Sequence, residues 1–382
     1  MEPIYLDYAA TTPVRDEVRD AMAPCLAAAF GNPSSIHRWG RAADDLLEEA
    51  REEAAAALGA RPREIHFVRG GTESDNLAVL GWCRAQAELG RTPALVVSSV
   101  EHHAVLEAAE AAERLGARVA RLDVTAAGAL DMDEASRTLS AGPALASVMW
   151  VNNETGMLLP VRELVDLAAD RSAVVHADAA QAVGKVPVDV REVPIDLLSA
   201  TAHKIYGPKG AGLLFVREGT PLAPLLHGGG QERGLRPGTE DVAGAVGLAT
   251  ALRLAVAEQR AEAERLTALR DRLAALLSES IEGVRINGCD APRAPHVLSV
   301  GIEGIEDGAA LVMALDIEGV AVSGGSACSS GAAQSSHVIR ALYGADDRRG
   351  TVRFSLGRST GAAAVERAAC VLTDVVGRMR VA

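Results

Sequence analysis

The stretch Ile65-His-Phe-Val-Arg-Gly-Gly-Thr72, followed by Ala94-Leu-Val-Val-Ser98, decides the fold. A four-residue apolar run ends at a glycine pair and gives way to a helical pattern over 72–88. A second short apolar run follows, and another helical pattern over 103–115. Apolar runs this short, bounded by Gly and Pro, read as buried strands. Residues 144–151, 173–177 and 212–216 repeat the strand pattern, and 161–169 the helical one. The alternation predicts an α/β fold with a largely parallel sheet covered by helices on both faces. In such sheets ligands sit beyond the carboxyl ends of the strands. The polar residues just past the runs are Gly70, Gly71 and Thr72; His102; Asn152, Asn153 and Glu154; Asp178 and Gln181; and the segment 199–204.

Outward from this core, a helical stretch over 245–280 can link two lobes. Beyond it, strands are predicted at 297–302, 320–323 and 352–356, and helices at 307–315 and 362–376. The expected division is a large domain over 14–256, with 1–13 and 257–382 forming a smaller α+β domain. Residues 323–336 are almost all Ser, Gly and Ala, which cannot pack a core, so a mobile loop is predicted there, carrying Cys328.

The 382 residues are 48% hydrophobic and only 3% aromatic, so the core must be aliphatic. A net charge of −13 disfavours direct contact with nucleic acid or an anionic membrane. No secretory start and no run near ~20 apolar residues is visible, so the expected location is the cytoplasm with no membrane partner. Cys25, Cys83, Cys289, Cys328 and Cys370 are widely spaced, with no Cys-x-x-Cys pair. That argues against a disulfide framework or a zinc knuckle. His102 and His103 are adjacent and would point opposite ways in extended chain, so no metal site is expected.

Only Lys185, Lys204 and Lys209 are lysines. Arginine forms no stable imine, so amine chemistry rests on these three side chains and the α-amino group. Lys204 follows Thr201-Ala-His203 and precedes a Gly-Pro turn, a setting suited to the aldehyde of pyridoxal 5′-phosphate (PLP). Lys185 and Lys209 sit beside glycines and read as turn residues. Asp178 suits pairing with a pyridinium nitrogen, or equally an N-cap of the next helix. Gln181, one turn on, can reach a ring hydroxyl. Gly71 and Thr72 open a helix where a phosphate can bind. This stretch lacks both the nucleotide P-loop ending and the dinucleotide fingerprint. His102 suits stacking on a planar cofactor and proton transfer, or a helix start.

These segments together resemble the class V, fold-type I PLP enzymes, and within them the cysteine desulfurases of the NifS/IscS type. The likeness covers almost the whole chain. It runs through Tyr5-Leu-Asp-Tyr-Ala-Ala-Thr-Thr-Pro13, Gly31-Asn-Pro-Ser-Ser-Ile-His37, Gly71-Thr-Glu-Ser-Asp-Asn76 and Val100-Glu-His-His103. It continues through Val151-Asn-Asn-Glu-Thr-Gly156, His176-Ala-Asp-Ala-Ala-Gln181, Ala202-His-Lys204 and Gly228-Gly-Gly-Gln-Glu-Arg233. It ends with Ser326-Ala-Cys-Ser329, Ser336-His-Val338 and Val352-Arg-Phe-Ser-Leu-Gly357.

The resemblance implies that Lys204 forms the imine, His102 stacks on the ring, Asp178 pairs with its nitrogen and Gln181 with its oxygen. It implies that Thr72, Thr201 and His203 bind phosphate, with Thr239 donated across a homodimer. It assigns Asn32, Asn153 and Arg353 to the substrate carboxylate, and Cys328 to the persulfide. The long loop matches group I. Arg69 stands where a small Ser is usual, Pro237 replaces a common Ser, and Gly325 departs slightly from the usual run.

The implied activity is conversion of L-cysteine to L-alanine, with sulfur passed to an acceptor protein. Iron–sulfur assembly, tRNA thiolation, cofactor sulfuration and DNA phosphorothioation are open destinations. Selenocysteine lyase, another class V reaction or a non-catalytic sulfur-transfer scaffold are the rival readings. A plain aminotransferase needs no loop thiol, and a silent scaffold needs neither Lys204 nor Asp178.

Overall fold

The computed structural model describes residues 3–140, 142–324 and 336–381. The chain opens with β1 (Ile4–Tyr5), α1 (Asp16–Ala27) and α2 (Arg38–Leu58). The central sheet then forms from β2 (Ile65–Val68), β3 (Ala94–Ser98), β4 (Arg118–Leu122), β5 (Ala144–Ser147), β6 (Val174–Asp178), β7 (Leu197–Thr201) and β8 (Gly212–Val216). Its order is β2-β8-β7-β6-β5-β3-β4. Helices α3 (Gly71–Glu88), α4 (His103–Arg114), α5 (Met132–Leu139) and α6 (Val161–Ala169) connect the strands.

The sheet is parallel from β7 through β4, as the alternation predicts. The exception is β8, antiparallel to both β7 and β2. Two strands escape the apolar-run criterion. In β4, Arg118 and Arg121 are exposed at the sheet's edge, which breaks the apolar run. In β7, Ser199 and Thr201 are buried polar residues whose hydroxyls are hydrogen-bonded. The predicted strand over 144–151 stops at Ser147, because the backbone of 149–152 turns to meet residues 157–159.

Leu77, Trp82, Val105 and Ala109 of α3 and α4 cover one face of the sheet. Leu47 and Ala54 of α2, Leu164 of α6, and Leu248 and Leu252 of α7 (Val242–Ser280) cover the other. The same α7 then inserts Leu266, Leu273 and Leu277 into a second core. That core is built on the antiparallel sheet of β9 (Val284–Ile286), β10 (Val297–Ile302) and β12 (Gly350–Ser355), in the order β12-β10-β9. Helices α8 (Gly308–Ile317) and α10 (Ala362–Val381) pack on it, and β11 (Val320–Ala321) pairs in parallel with β1. Helix α9 (His337–Tyr343) returns to the first core through Val338.

The expectation that no segment is long and apolar enough to cross a membrane needs correction. By length and composition α7 qualifies, and 56% of its most apolar window is buried inside the protein. Its apolarity serves the two cores it joins.

Candidate active site

The carboxyl ends of β6 and β7 and the amino ends of α3 and α4 enclose a cavity of about 300 Å³. Thr201 ends β7, and the next three residues form a single 3-10 turn that delivers Lys204 to the cavity. The Lys204 amine donates to the carbonyls of Ala9 and Ala10, both at 2.7 Å. Gln181 Nε2 donates to the same Ala9 carbonyl at 2.8 Å, and its Oε1 lies 3.2 Å from the buried His296 Nε2. The N-terminal segment thus orients both groups.

Asp178, the last residue of β6, is 7% exposed. Its Oδ1 accepts from the Ala180 N–H at 2.9 Å, so a local cap of the following turn exists alongside its place in the cavity. Burial pushes its carboxyl pKa up, while His102 and Lys204 pull it down. His102 caps α4: its Nδ1 accepts from the Ala104 N–H at 3.1 Å. In the neutral ring the proton therefore sits on Nε2. Burial holds His102 below the ordinary histidine range.

Helix α3 begins at Gly71 with no side-chain cap. Its first N–H groups are free to meet an anion beside Thr72, Thr201 and His203, all of which line the cavity. The approach is tight: a Cβ on Gly212 would lie 2.7 Å from the Gly70 Cα, and Gly70 itself has φ +140°. His203 Nδ1 lies 3.3 Å from Thr11 Oγ1. Burial and the nearby lysines lower the His203 pKa to about 4. Arg69, beside this turn, directs its guanidinium to Asp241 at 2.7 Å, away from the cavity lining.

On the opposite wall Arg353, from β12, donates to the Asn153 carbonyl and to Asp7 Oδ1, both at 2.8 Å. Asn153 and Arg353 line the cavity; Asn32 and Thr239 do not, and both are exposed. Cys328 lies outside the described residues. The residues flanking its segment reach the cavity wall: Ser323 exchanges two backbone hydrogen bonds with Arg353, and Ser336 Oγ donates to Glu154.

Four residues in or beside the cavity lie within the quoted stretches but have no role assigned by the sequence. Asp75, from α3, is 2% exposed and lies 3.7 Å from His176 Nε2; burial and Asp178 raise its pKa. Glu101 is fully buried, accepts from Ser98 and from the Met149 N–H, and has its pKa raised to about 8 by burial. His103 and His337 line the cavity with ring centroids 4.8 Å apart. Their burial and mutual approach depend on packing that these stretches do not encode. Lys209 is exposed, as a turn residue would be, whereas Lys185 is buried against a second, smaller cavity.

The Aminotransferase class-V family model matches residues 4–368. Cysteine desulfurase IscS of Dictyoglomus turgidum is 44% identical over 378 residues, covering 99% of this chain and 95% of that protein. A solved NifS-like protein superposes with a TM-score of 0.90 at 33% identity, covering 98% of this chain and 100% of its own. The chain belongs to the cysteine desulfurases. A further solved structure, SspA in complex with cysteine, has a TM-score of 0.78 at 34% identity over 92% of this chain and 98% of its own.

The desulfurase family is PLP-dependent, and its members share this fold-type I architecture. The cavity suits that cofactor on its own terms. Asp178 is a buried carboxyl whose raised pKa a ring N–H would relieve. An imidazole, a lysine amine and an uncapped helix start complete the donor set.

Proposed function

We propose that this desulfurase takes sulfur from L-cysteine, leaves L-alanine, and carries the sulfur on Cys328 as a persulfide to an acceptor protein. The observation that carries this reading is the convergence of Lys204, Asp178 and His102 on one cavity whose wall also anchors both flanks of the Cys328 segment. Cys328 is four residues past Gly324, a reach of at most ~14 Å.

When bound, PLP supplies an aldehyde for the amine and a ring that draws electron density from the substrate. Lys204, aimed by the Ala9 and Ala10 carbonyls, would hold the group by its aldehyde, and its free amine would take the substrate Cα proton. Asp178 keeps negative charge against the ring nitrogen. Gln181 would hold the ring by its oxygen, and His102 would stack on it with an Nε2 proton to donate. Gly71, Thr72, Thr201 and His203 hold the phosphate. Thr239, exposed and outside the cavity, reaches the phosphate of a second copy in a homodimer.

Asn153 and Arg353, joined by Asn32, take the substrate carboxylate, which competes with Asp7 for the guanidinium. The Cys328 thiolate attacks the substrate sulfur. The S–S bond forms as the Cβ–S bond breaks, and the electron pair left on Cβ takes a proton. We place the boundary between the lobes near residue 256, within α7. We place the enzyme in the cytoplasm, with its acidic surface keeping it off nucleic acid.

The test uses L-cysteine labelled on sulfur. Cys328→Ala should keep the visible absorbance of the bound cofactor and lose protein-bound label. Label that stays on the protein with continued turnover assigns the thiol elsewhere.

A further inference from the structure

The cavity that holds Lys204 also carries a pair of imidazoles that the proposed chemistry leaves unused. His103 opens α4 and His337 opens α9, elements far apart in sequence. Their rings meet at 4.8 Å between centroids, inclined by 53°, and both line the cavity. His337 Nε2 lies 2.9 Å from the Glu101 carbonyl oxygen. A carbonyl can only accept, so Nε2 carries the proton and Nδ1 holds the lone pair of the neutral ring. His102 has the opposite arrangement, its Nδ1 occupied by the Ala104 N–H. The cavity therefore holds one imidazole set to donate and one set to accept.

We infer that His337 is the residue that receives the substrate's thiol, accepting its S–H at Nδ1, with His103 packed against the ring to fix it. This inference rests on the cysteine-desulfurase reading and deepens it by naming the sulfur-side wall. A carboxylate held by Arg353 and a thiol held by His337 would be selected together. An amino acid lacking the thiol would leave Nδ1 without a donor, a loss that discriminates more strongly than missing apolar contact.

Neutrality of His337 is required for acceptance. The titratable and charged groups that act on it are His102 and His103 at the start of α4 and Arg340 on its own helix, with the Glu101 backbone carbonyl bonded to its Nε2. Burial lowers its pKa below 6.5; the Glu101 carbonyl works against that, while His103 and Arg340 add to it. Binding of the thiol should therefore weaken as pH falls through a value below 6.5, where the ring gains its second proton.

His337→Gln is the informative variant, because the glutamine amide can still donate to the Glu101 carbonyl while offering no titrating acceptor. The holoenzyme variant should keep its visible absorbance, lose ~100-fold in kcat/KM for L-cysteine, and lose the acid limb of the kcat/KM profile. L-Alanine, which has no thiol, should perturb the cofactor absorbance of variant and wild type at the same concentrations. His103→Phe keeps an aromatic ring but removes a neighbouring charge, so the acid limb should move to higher pH. An even drop in rate with the acid limb unmoved in both variants would overturn the inference and leave the limb to another group such as His102. Loss of cofactor absorbance in Lys204→Ala bears on the Lys204 assignment alone and is read separately.

Discussion

Lys204 and Lys185 are both drawn into the protein, yet their surroundings differ. Lys185 is buried beside Tyr206, Glu258, Glu262 and Leu266, with its ammonium 5.3 Å from the Tyr206 ring centroid. Burial lowers its pKa to about 8, partly offset by Glu262. Lys204 is half-buried, is held by two backbone carbonyls, and shares its cavity with Asp178, His102 and an uncapped helix start. The contrast teaches that depressed basicity does not define an amine site. What defines it is a set of groups from several strands that converge where a ligand can enter.

The largest break in this comparison should come from Lys204→Ala. Turnover should fall by at least ~1,000-fold, and the visible absorbance of the lysine-bound cofactor should vanish. Retention of that absorbance would transfer the amine role to Lys185 or Lys209. Asp178→Asn comes next: kcat should drop ~100-fold with a changed cofactor spectrum, measured by steady-state kinetics and titration of the apoenzyme with PLP.

Lys185→Met should leave kcat within about twofold and act on stability instead. A base whose folded pKa lies below its unfolded value destabilises most where both states are protonated, and the cost is relieved as pH rises from about 8 to 10.5. Wild type should thus gain on Lys185→Met by up to ~3 kcal/mol across that window, as read from urea unfolding at each pH. A pH-independent difference would mean that the amine is solvated.

Much of this was legible in the sequence. The runs at 65–68, 94–98 and 212–216 form strands as spaced, and Gly70-Gly71-Thr72 makes the strand–helix turn. Lys204, Asp178 and His102 all sit just past or at strand ends, and the structure brings them into one cavity. The rest depends on distance and burial that no local pattern encodes. Glu101 lies in the Val100–His103 stretch, but its enclosure by β3 and the chain near Met149 is not encoded there. Asp75 lies in the Gly71–Asn76 stretch, and its approach to His176 of β6 is set only by the packing of α3 on the sheet. Lys185 reads as a turn residue and lies in a turn, but it is covered by Tyr206 and the flank of α7. The pairing of His103 with His337 spans more than half of the chain.

The N-terminal segment has a consequence for biosynthesis. Residues 4–12 are synthesised well before the residues they bond to. Thr12 bonds to His203 and Tyr206, Leu6 bonds to Ala321 and Ser355, and Asp7 pairs with Arg353. The central sheet can begin to fold during translation. The Ala9 N–H bonds to Ser355 of β12, so the cradle of the Lys204 amine is completed only after β12 has emerged. A nascent chain stalled before residue 350 would carry the lysine without the support that aims it.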